Sequence, residues 1–200
     1  KFTLKYYRKK IIQNVKITIN QLLDKVQYSD DHIVQQCMDK STREKGFRQL
    51  MSKYQERLYW HIRRMVKTHE DTDDVLQNTF IKVFANLKNF KGDSKLYSWM
   101  YRIATNESIT FLQQRAKKQG ISNVEVKEKA LNKLESDVYF DGDEIQLKLQ
   151  KAIALLPEKQ QLVFKMKYFE ELKYEEISEI LGTSVGALKA SYHIAVKKIE

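Results

Sequence analysis

The stretch Tyr174-Glu-Glu-Ile-Ser-Glu-Ile-Leu-Gly-Thr-Ser-Val-Gly-Ala-Leu-Lys-Ala-Ser-Tyr192 admits few folds. Ile177, Ile180 and Leu181 recur at helical spacing. Gly182 follows where a helix must stop and the chain must enter a left-handed conformation. Thr183 or Ser184 can cap the next helix through a side-chain oxygen, and Leu188 is placed to point back at the first helix. Ser178 is small enough to let the two helices cross closely. This is the order of parts of a helix-turn-helix, which lays its second helix in the DNA major groove. An ordinary helical hairpin in a bundle core would show the same local pattern.

One Pro and six Gly in 200 residues leave long helices permitted nearly everywhere, and 42% hydrophobic residues suffice for packed cores. An all-α protein is expected, built of two small helical domains joined by a flexible acidic linker, the second domain containing the helix-turn-helix. Cys37 is alone, which excludes a disulfide framework and a cysteine-based metal site. His32, His61, His69 and His193 have no ligand spacing. No metal and no cofactor are expected. No apolar run approaches the ~20 residues of a membrane span and no secretory signal is evident, so a cytoplasmic location without membrane insertion is expected.

The net charge of +10 is unevenly spread. Residues 1–30 carry seven basic and two acidic side chains, residues 31–118 seventeen and ten, residues 119–143 three and six, and residues 144–200 nine and eight. A basic body favours a polyanionic partner through phosphate contacts and counterion release. The acidic segment between basic ones marks a change of role along the chain.

Segment 1–29 is basic, then β-branched with imperfect alternation; it reads as a tail or a short isolated helix of unassigned role. Asp30 and Asp31 look like a helix start, where acids complement the positive end of the helix dipole. The pattern from there to about Gln119 is helical and defines a domain over 30–118. Glu70 to Asp74 is a second acidic start, after which Val75, Leu76, Thr79, Phe80, Val83, Phe84 and Leu87 make one apolar stripe. The loop Asn89 to Ser94 precedes a helix over about Lys95 to Lys118. Residues 119–143 lack periodicity and read as the linker. The second domain spans 144–200, with Pro157 opening a helix at its first turn.

The segment Tyr97-Ser-Trp-Met-Tyr-Arg-Ile-Ala-Thr-Asn106 mixes three aromatics, an Arg and an Asn. Aromatic faces beside cations suit unstacked bases, at ~1–3 kcal/mol per stacked base, although an aromatic stripe on a helix is also a common core feature. Tyr97 and Tyr101 are one turn apart while Trp99 lies on another face, so the three cannot share one stripe.

Three motifs in order carry a family resemblance. Asp73-Asp-Val-Leu-Gln-Asn-Thr-Phe-Ile-Lys-Val-Phe84, Phe90-Lys-Gly-Asp-Ser94 and Trp99-Met-Tyr-Arg-Ile-Ala-Thr-Asn106 together resemble the second conserved region of bacterial RNA polymerase sigma factors of the extracytoplasmic-function group. Leu155-Leu-Pro-Glu-Lys-Gln160 and Tyr174 to Gly182 resemble that group's fourth region. The resemblance covers residues 31–200.

The resemblance implies a non-catalytic subunit that binds core RNA polymerase and directs initiation at promoters with −35 and −10 elements. Asp74 and Gln77 match contacts to the clamp coiled coil of the β′ subunit, and Asn78 stands where many members carry an acid. The β flap, promoter DNA and an anti-sigma factor are the further partners implied. Phe90, Lys91, Ser94, Tyr97, Trp99, Arg102 and Asn106 match the element that opens and reads the −10 DNA. Asn106 matches a residue that helps hold a flipped base, for which an amide is suited because it both donates and accepts. Arg102, Arg115, Lys117 and Lys118 are candidates for phosphate. Thr183, Ser184, Lys189, Ser191, Tyr192 and His193 fall in the −35 reader, which lacks the several Arg of many members. Its contacts are therefore expected to lean on phosphate, water and shape. Tyr192 is equally well placed as core or as contact.

A free-standing helix-turn-helix regulator is the alternative. A metal-dependent nuclease using Asp71, Asp73 and Asp74 is disfavoured, because paired metals need carboxylates converging from several elements and these crowd one helix start.

Overall fold

The computed structural model describes residues 29–119 and 144–200. The expectations for the basic tail and for the acidic linker fall outside them, save for Ser29 and Gln119. Among the described residues every regular element is helical. The order is α1 (Asp30–Met38), α2 (Arg43–Val66), α3 (His69–Asn86), a 3₁₀ turn (Leu87–Asn89), α4 (Leu96–Gln119), α5 (Glu144–Leu155), α6 (Glu158–Tyr168), α7 (Tyr174–Leu181) and α8 (Val185–Ile199). The all-α expectation holds. The chain divides into two compact units, one ending at Gln55 and one beginning at Glu56.

In the first unit the expected helix start is present. Ser29 caps α1 by accepting from the His32 N–H at 3.3 Å, and Asp30 and Asp31 occupy the first turn. Asp30 also pairs with Lys53 at 2.7 Å and accepts from the Tyr54 hydroxyl at 2.5 Å. Ile33, Cys37, Leu50 and Tyr54 are buried. Gly46 is required by space: a Cβ there would stand 2.7 Å from the backbone nitrogen of Cys37.

In the second unit Thr68 caps α3 by accepting from the Asp71 N–H. The apolar stripe forms as expected at Val75, Leu76, Thr79, Phe80, Val83 and Leu87, all buried. Phe84 departs from the expectation, because it is 48% exposed. The stripe packs on α4, which buries Leu96, Met100, Tyr101, Ala104, Thr105 and Ser108.

Further along, Pro157 stands one position earlier than expected. It is the N-cap of α6 with φ −57° and ψ 145°, and Gln161 N–H donates to its carbonyl at 2.9 Å. The extended ψ places Pro157 just outside the helix while its carbonyl accepts the first helical bond. Ile153, Leu156, Phe164 and Ala195 form a core on which Leu149, Phe169, Tyr192, Val196 and Ile199 pack. The helix-turn-helix is built as its sequence requires. Gly182 ends α7 at φ 64°, ψ 29° and donates to Ser178 O at 2.9 Å. Ser184 caps α8 by accepting from Ala187 N–H, while Thr183 donates to Leu181 O. Leu188 is buried and α8 packs on α7, α6 and α5.

Candidate nucleic-acid interface

Helix α3 separates its residues cleanly by face. The stripe is buried, while Asp74, Gln77 and Asn78 are all exposed. Beside them stand Ile81, 58% exposed, and Phe84, 48% exposed. These positions are three and four apart, so they form one row of mixed acid, amide and apolar character. Sequence reasoning missed Ile81 and assigned Phe84 to the core. Their spacing from Asp74 and Gln77 was the available signal.

Around the loop that follows, the aromatic residues split as their spacing demands. Phe90 and Trp99 pack ring to ring with centroids 5.4 Å apart. Trp99 and Asn106 line an open cleft of about 350 Å³ together with Lys82, Asn86, Asn89, Ile103 and Glu107. An ion pair between Lys82 and Glu107 crosses this wall, and Asn86 Nδ2 donates to Lys82 O at 2.9 Å. Asn106 is exposed in mid-helix. The cleft is thus lined by an indole, three amides and the Lys82–Glu107 ion pair, a set that suits a planar group with both donors and acceptors. Lys91 is exposed and Ser94 half-buried in the loop. Tyr101 is core: its hydroxyl donates to Arg57 O at 3.4 Å, and burial, then the Glu170 charge, raise its pKa to about 12.

Tyr97 and Arg102 do not join the cleft. Tyr97 packs edge-on against Tyr101, with Arg57 5.5 Å from its ring. Next to it, helix α4 meets helix α7. Lys95 Nζ pairs with Glu176 Oε1 at 3.0 Å, and the Arg102 guanidinium donates to Glu179 O, its Nε at 3.0 Å. Burial would raise the Glu176 carboxyl, but the Tyr97 hydroxyl, the Lys173 N–H and the Lys95 ammonium outweigh it and hold its pKa down to about 2. Burial, then the Glu176 carboxylate, push the Tyr97 hydroxyl up. Of the other cations named for phosphate, Arg115 is paired with Asp71, whereas Lys117 and Lys118 are exposed.

On the second helix of the helix-turn-helix, Lys189 and His193 are exposed, as are Thr183 and Ser184 in the turn before it. Ser191 is half-buried. Tyr192 stacks on Phe164 with centroids 5.7 Å apart at 18° and packs against the core. Of its two equal readings, the core reading matches this placement.

A buried polar cluster lies nearby that the sequence did not announce. His61 and the Glu170 side chain are 1% and 6% exposed. His61 Nδ1 faces Glu170 Oε1 at 3.0 Å and its Nε2 faces Thr105 Oγ1 at 2.9 Å. The Thr105 hydroxyl also lies 2.8 Å from Tyr101 O, to which it donates. Arg64 lies 3.7 Å from Glu170. Lys165, also buried, donates to Arg64 O at 3.0 Å. Burial lowers its pKa to about 7. Among the described residues no group of His, Cys, Asp and Glu could hold a metal ion, and no helix is long and apolar enough to cross a membrane.

Residues 50–118 match the family Sigma-70 region 2, and residues 146–199 match Sigma-70, region 4. The RNA polymerase sigma-H factor of Pseudomonas aeruginosa is 30% identical over 188 residues, 90% of this chain and 91% of that protein. The ECF RNA polymerase sigma factor SigW of Bacillus subtilis is 29% identical over 157 residues, 74% of this chain and 83% of that protein. In fold the chain is similar to the sigma factor RpoE solved with the anti-sigma factor NepR from Bartonella quintana, with a TM-score of 0.59 at 18% identity, covering 78% of this chain and 94% of that one.

Proposed function

The chain belongs to the sigma-70 family, as an extracytoplasmic-function RNA polymerase sigma factor serving promoter-specific transcription, and from that premise we propose how its residues divide the work. Residues 30–118 bind core polymerase and read and melt the −10 element. Residues 144–200 read the −35 element, 119–143 link the two, and 1–29 form a basic extension. The chain acts in the cytoplasm and catalyses nothing itself. Its partners are the β′ clamp and β flap of core polymerase and promoter DNA. An anti-sigma factor is a further partner, by likeness to the RpoE complex.

Asp74, Gln77 and Asn78 dock on the clamp, with Ile81 and Phe84 supplying the apolar part of that contact. Such a mixed row fits an interface better than a solvated surface, because two large exposed apolar side chains lie side by side. Phe90, Lys91, Ser94, Tyr97, Trp99, Arg102 and Asn106 handle the −10 strand. Thr183, Ser184, Lys189, Ser191, Tyr192 and His193 serve the −35 duplex, Tyr192 mainly by holding α8 in place.

The observation that carries this reading is the cleft between Trp99 and Asn106. An extruded base loses stacking and pairing worth a few kcal/mol. An indole face and convergent amides can return that through stacking and edge hydrogen bonds. Run-off transcription with core polymerase, with and without this chain, tests the reading: promoter-dependent transcripts are expected only when the chain is present. Core that initiates equally well without it would overturn the assignment.

A further inference from the structure

The residues assigned to the −35 duplex are polar or aromatic, yet the exposed side of α8 also carries apolar groups. Ala187, Ala190 and Ile194 are all exposed, and Ile194 keeps 44% of its surface in solvent. They stand three and four positions apart, so they form one line along the helix, while Leu188 and Ala195 face the core. At 1.5 Å per residue the line from Ala187 to Ile194 is about 10 Å long, which is the length of about three base steps at 3.4 Å each. Its surroundings are basic. Lys189, His193 and Lys197 are exposed along one side, and Lys198 is exposed one turn beyond Ile194. The 15 residues of α8 include no Asp or Glu.

We propose that Ala187, Ala190 and Ile194 read thymine methyl groups in the major groove of the −35 element and thereby set its sequence. The proposal rests on the reading of α8 as the −35 helix. In that groove thymine presents its C5 methyl, and an apolar side chain is the partner that fits it. Burying one methyl against another apolar group is worth about fourfold in affinity. The same side chain set against the amino or carbonyl group of another base leaves that group without a hydrogen bond. The line can therefore discriminate without a bidentate arginine, which α8 lacks. Its order suits the docking of a recognition helix, whose N-terminal residues meet the base edges. The short Ala187 and Ala190 lie where the helix axis comes nearest to the bases, and the longer Ile194 lies where a straight helix begins to leave the groove. The basic rim fixes the occupant as a duplex, because Lys189, Lys197 and Lys198 suit the phosphates on either side of the groove.

Duplexes selected from a randomised −35 segment by the full chain assembled with core polymerase supply the probe. Thymine is expected, on either strand, within a run of about three adjoining base pairs. Each thymine is then replaced with uracil, which keeps every hydrogen-bonding group and lacks only the methyl. Filter binding should show a loss of about threefold to fivefold at each contacted thymine and none at thymines between the −35 and −10 elements. In Ile194→Ala and in Ala190→Gly the penalty at one contacted position should vanish, so that thymine and uracil duplexes bind alike there. The ratio is taken within one protein, so a variant with a weakened helix does not mimic the result. Selection of duplexes without thymine, equal binding of thymine and uracil duplexes by the parent, or a uracil penalty unchanged in both variants would sink the proposal. A scrambled −35 segment separates the premise from the proposal. If the assembly binds it as well as the selected segment, the −35 assignment of α8 falls and the proposal with it. If the selected segment is needed but uracil is tolerated throughout, the methyl reading alone falls.

Discussion

Lys165 donates from its buried Nζ to the backbone carbonyl of Arg64, 101 positions earlier, at 3.0 Å. That carbonyl lies in the last turn of α2, where helix carbonyls lack intrahelical partners. The bond therefore satisfies an orphan acceptor as well as a buried donor. It also sets an ionisable group in a place that disfavours its charge.

Stability should accordingly depend on pH through Lys165. An ordinary lysine takes up its proton near 10.5 and this one only near 7, chiefly because it is buried. Between those values the unfolded chain binds a proton that the folded chain does not. Stability thus falls as pH drops from about 10 towards 7 and is level below. Thermal melts at about pH 7.5 and about pH 9.5 should show the parent gaining more stability with pH than Lys165→Met. Cys37 and Tyr101, whose pKa values burial raises, pull the other way in both proteins, so the difference isolates Lys165. Equal pH responses would remove the argument.

Replacing Asp74 and Gln77 together with Ala should weaken assembly with core polymerase by roughly tenfold or more while leaving the far-ultraviolet spectrum unchanged, since paired interface losses of about 1–2 kcal/mol are typical. Phe84→Ala should act the same way at only a modest cost in stability, since the ring is 48% exposed. Had Phe84 been core, the change would cost about 3–5 kcal/mol of stability. Competition for core measured alongside chemical denaturation distinguishes the two.

The positions that made the fold legible are those whose reason is local. Gly182 and Ser184 act on neighbours within four residues, and the turn formed as the sequence required. The stripe of α3 was legible from its period, but the period could not tell whether Phe84 lay inside the stripe's edge or beyond it. Contacts such as Arg102 with Glu179, 77 positions apart, leave no trace in either segment. The same holds for His61 with Glu170, 109 apart. Each of these side chains is an ordinary polar residue until the helices meet.

Two glycines should respond to alanine in opposite directions. Gly46→Ala should destabilise the chain, because the new methyl would meet Cys37 N at 2.7 Å. Gly186→Ala should stabilise it by about 0.5–1 kcal/mol, because that helical site has open space around it and alanine restricts the unfolded chain. Urea denaturation of both variants checks the sign.

Asn106→Ala should impair opening of the −10 DNA and Lys189→Ala should weaken closed-complex binding, with a smaller salt slope if the lost contact is to phosphate. A pre-melted bubble should rescue Asn106→Ala only in part and should not restore Lys189→Ala. Permanganate footprinting and filter binding at several salt concentrations separate them. The same defect and the same slope in both would end the division of labour.

The carbonyl that Arg102 holds belongs to its own chain, and this has a consequence for the traffic of the protein in a cell. A chromosome presents on the order of a million or more unspecific sites, which would draw down a protein of net charge +10 before it met any polymerase. Since the Arg102 guanidinium and the Lys95 ammonium are already engaged within the chain, unspecific DNA meets the cations that stay exposed, among them Lys117, Lys118 and Lys189.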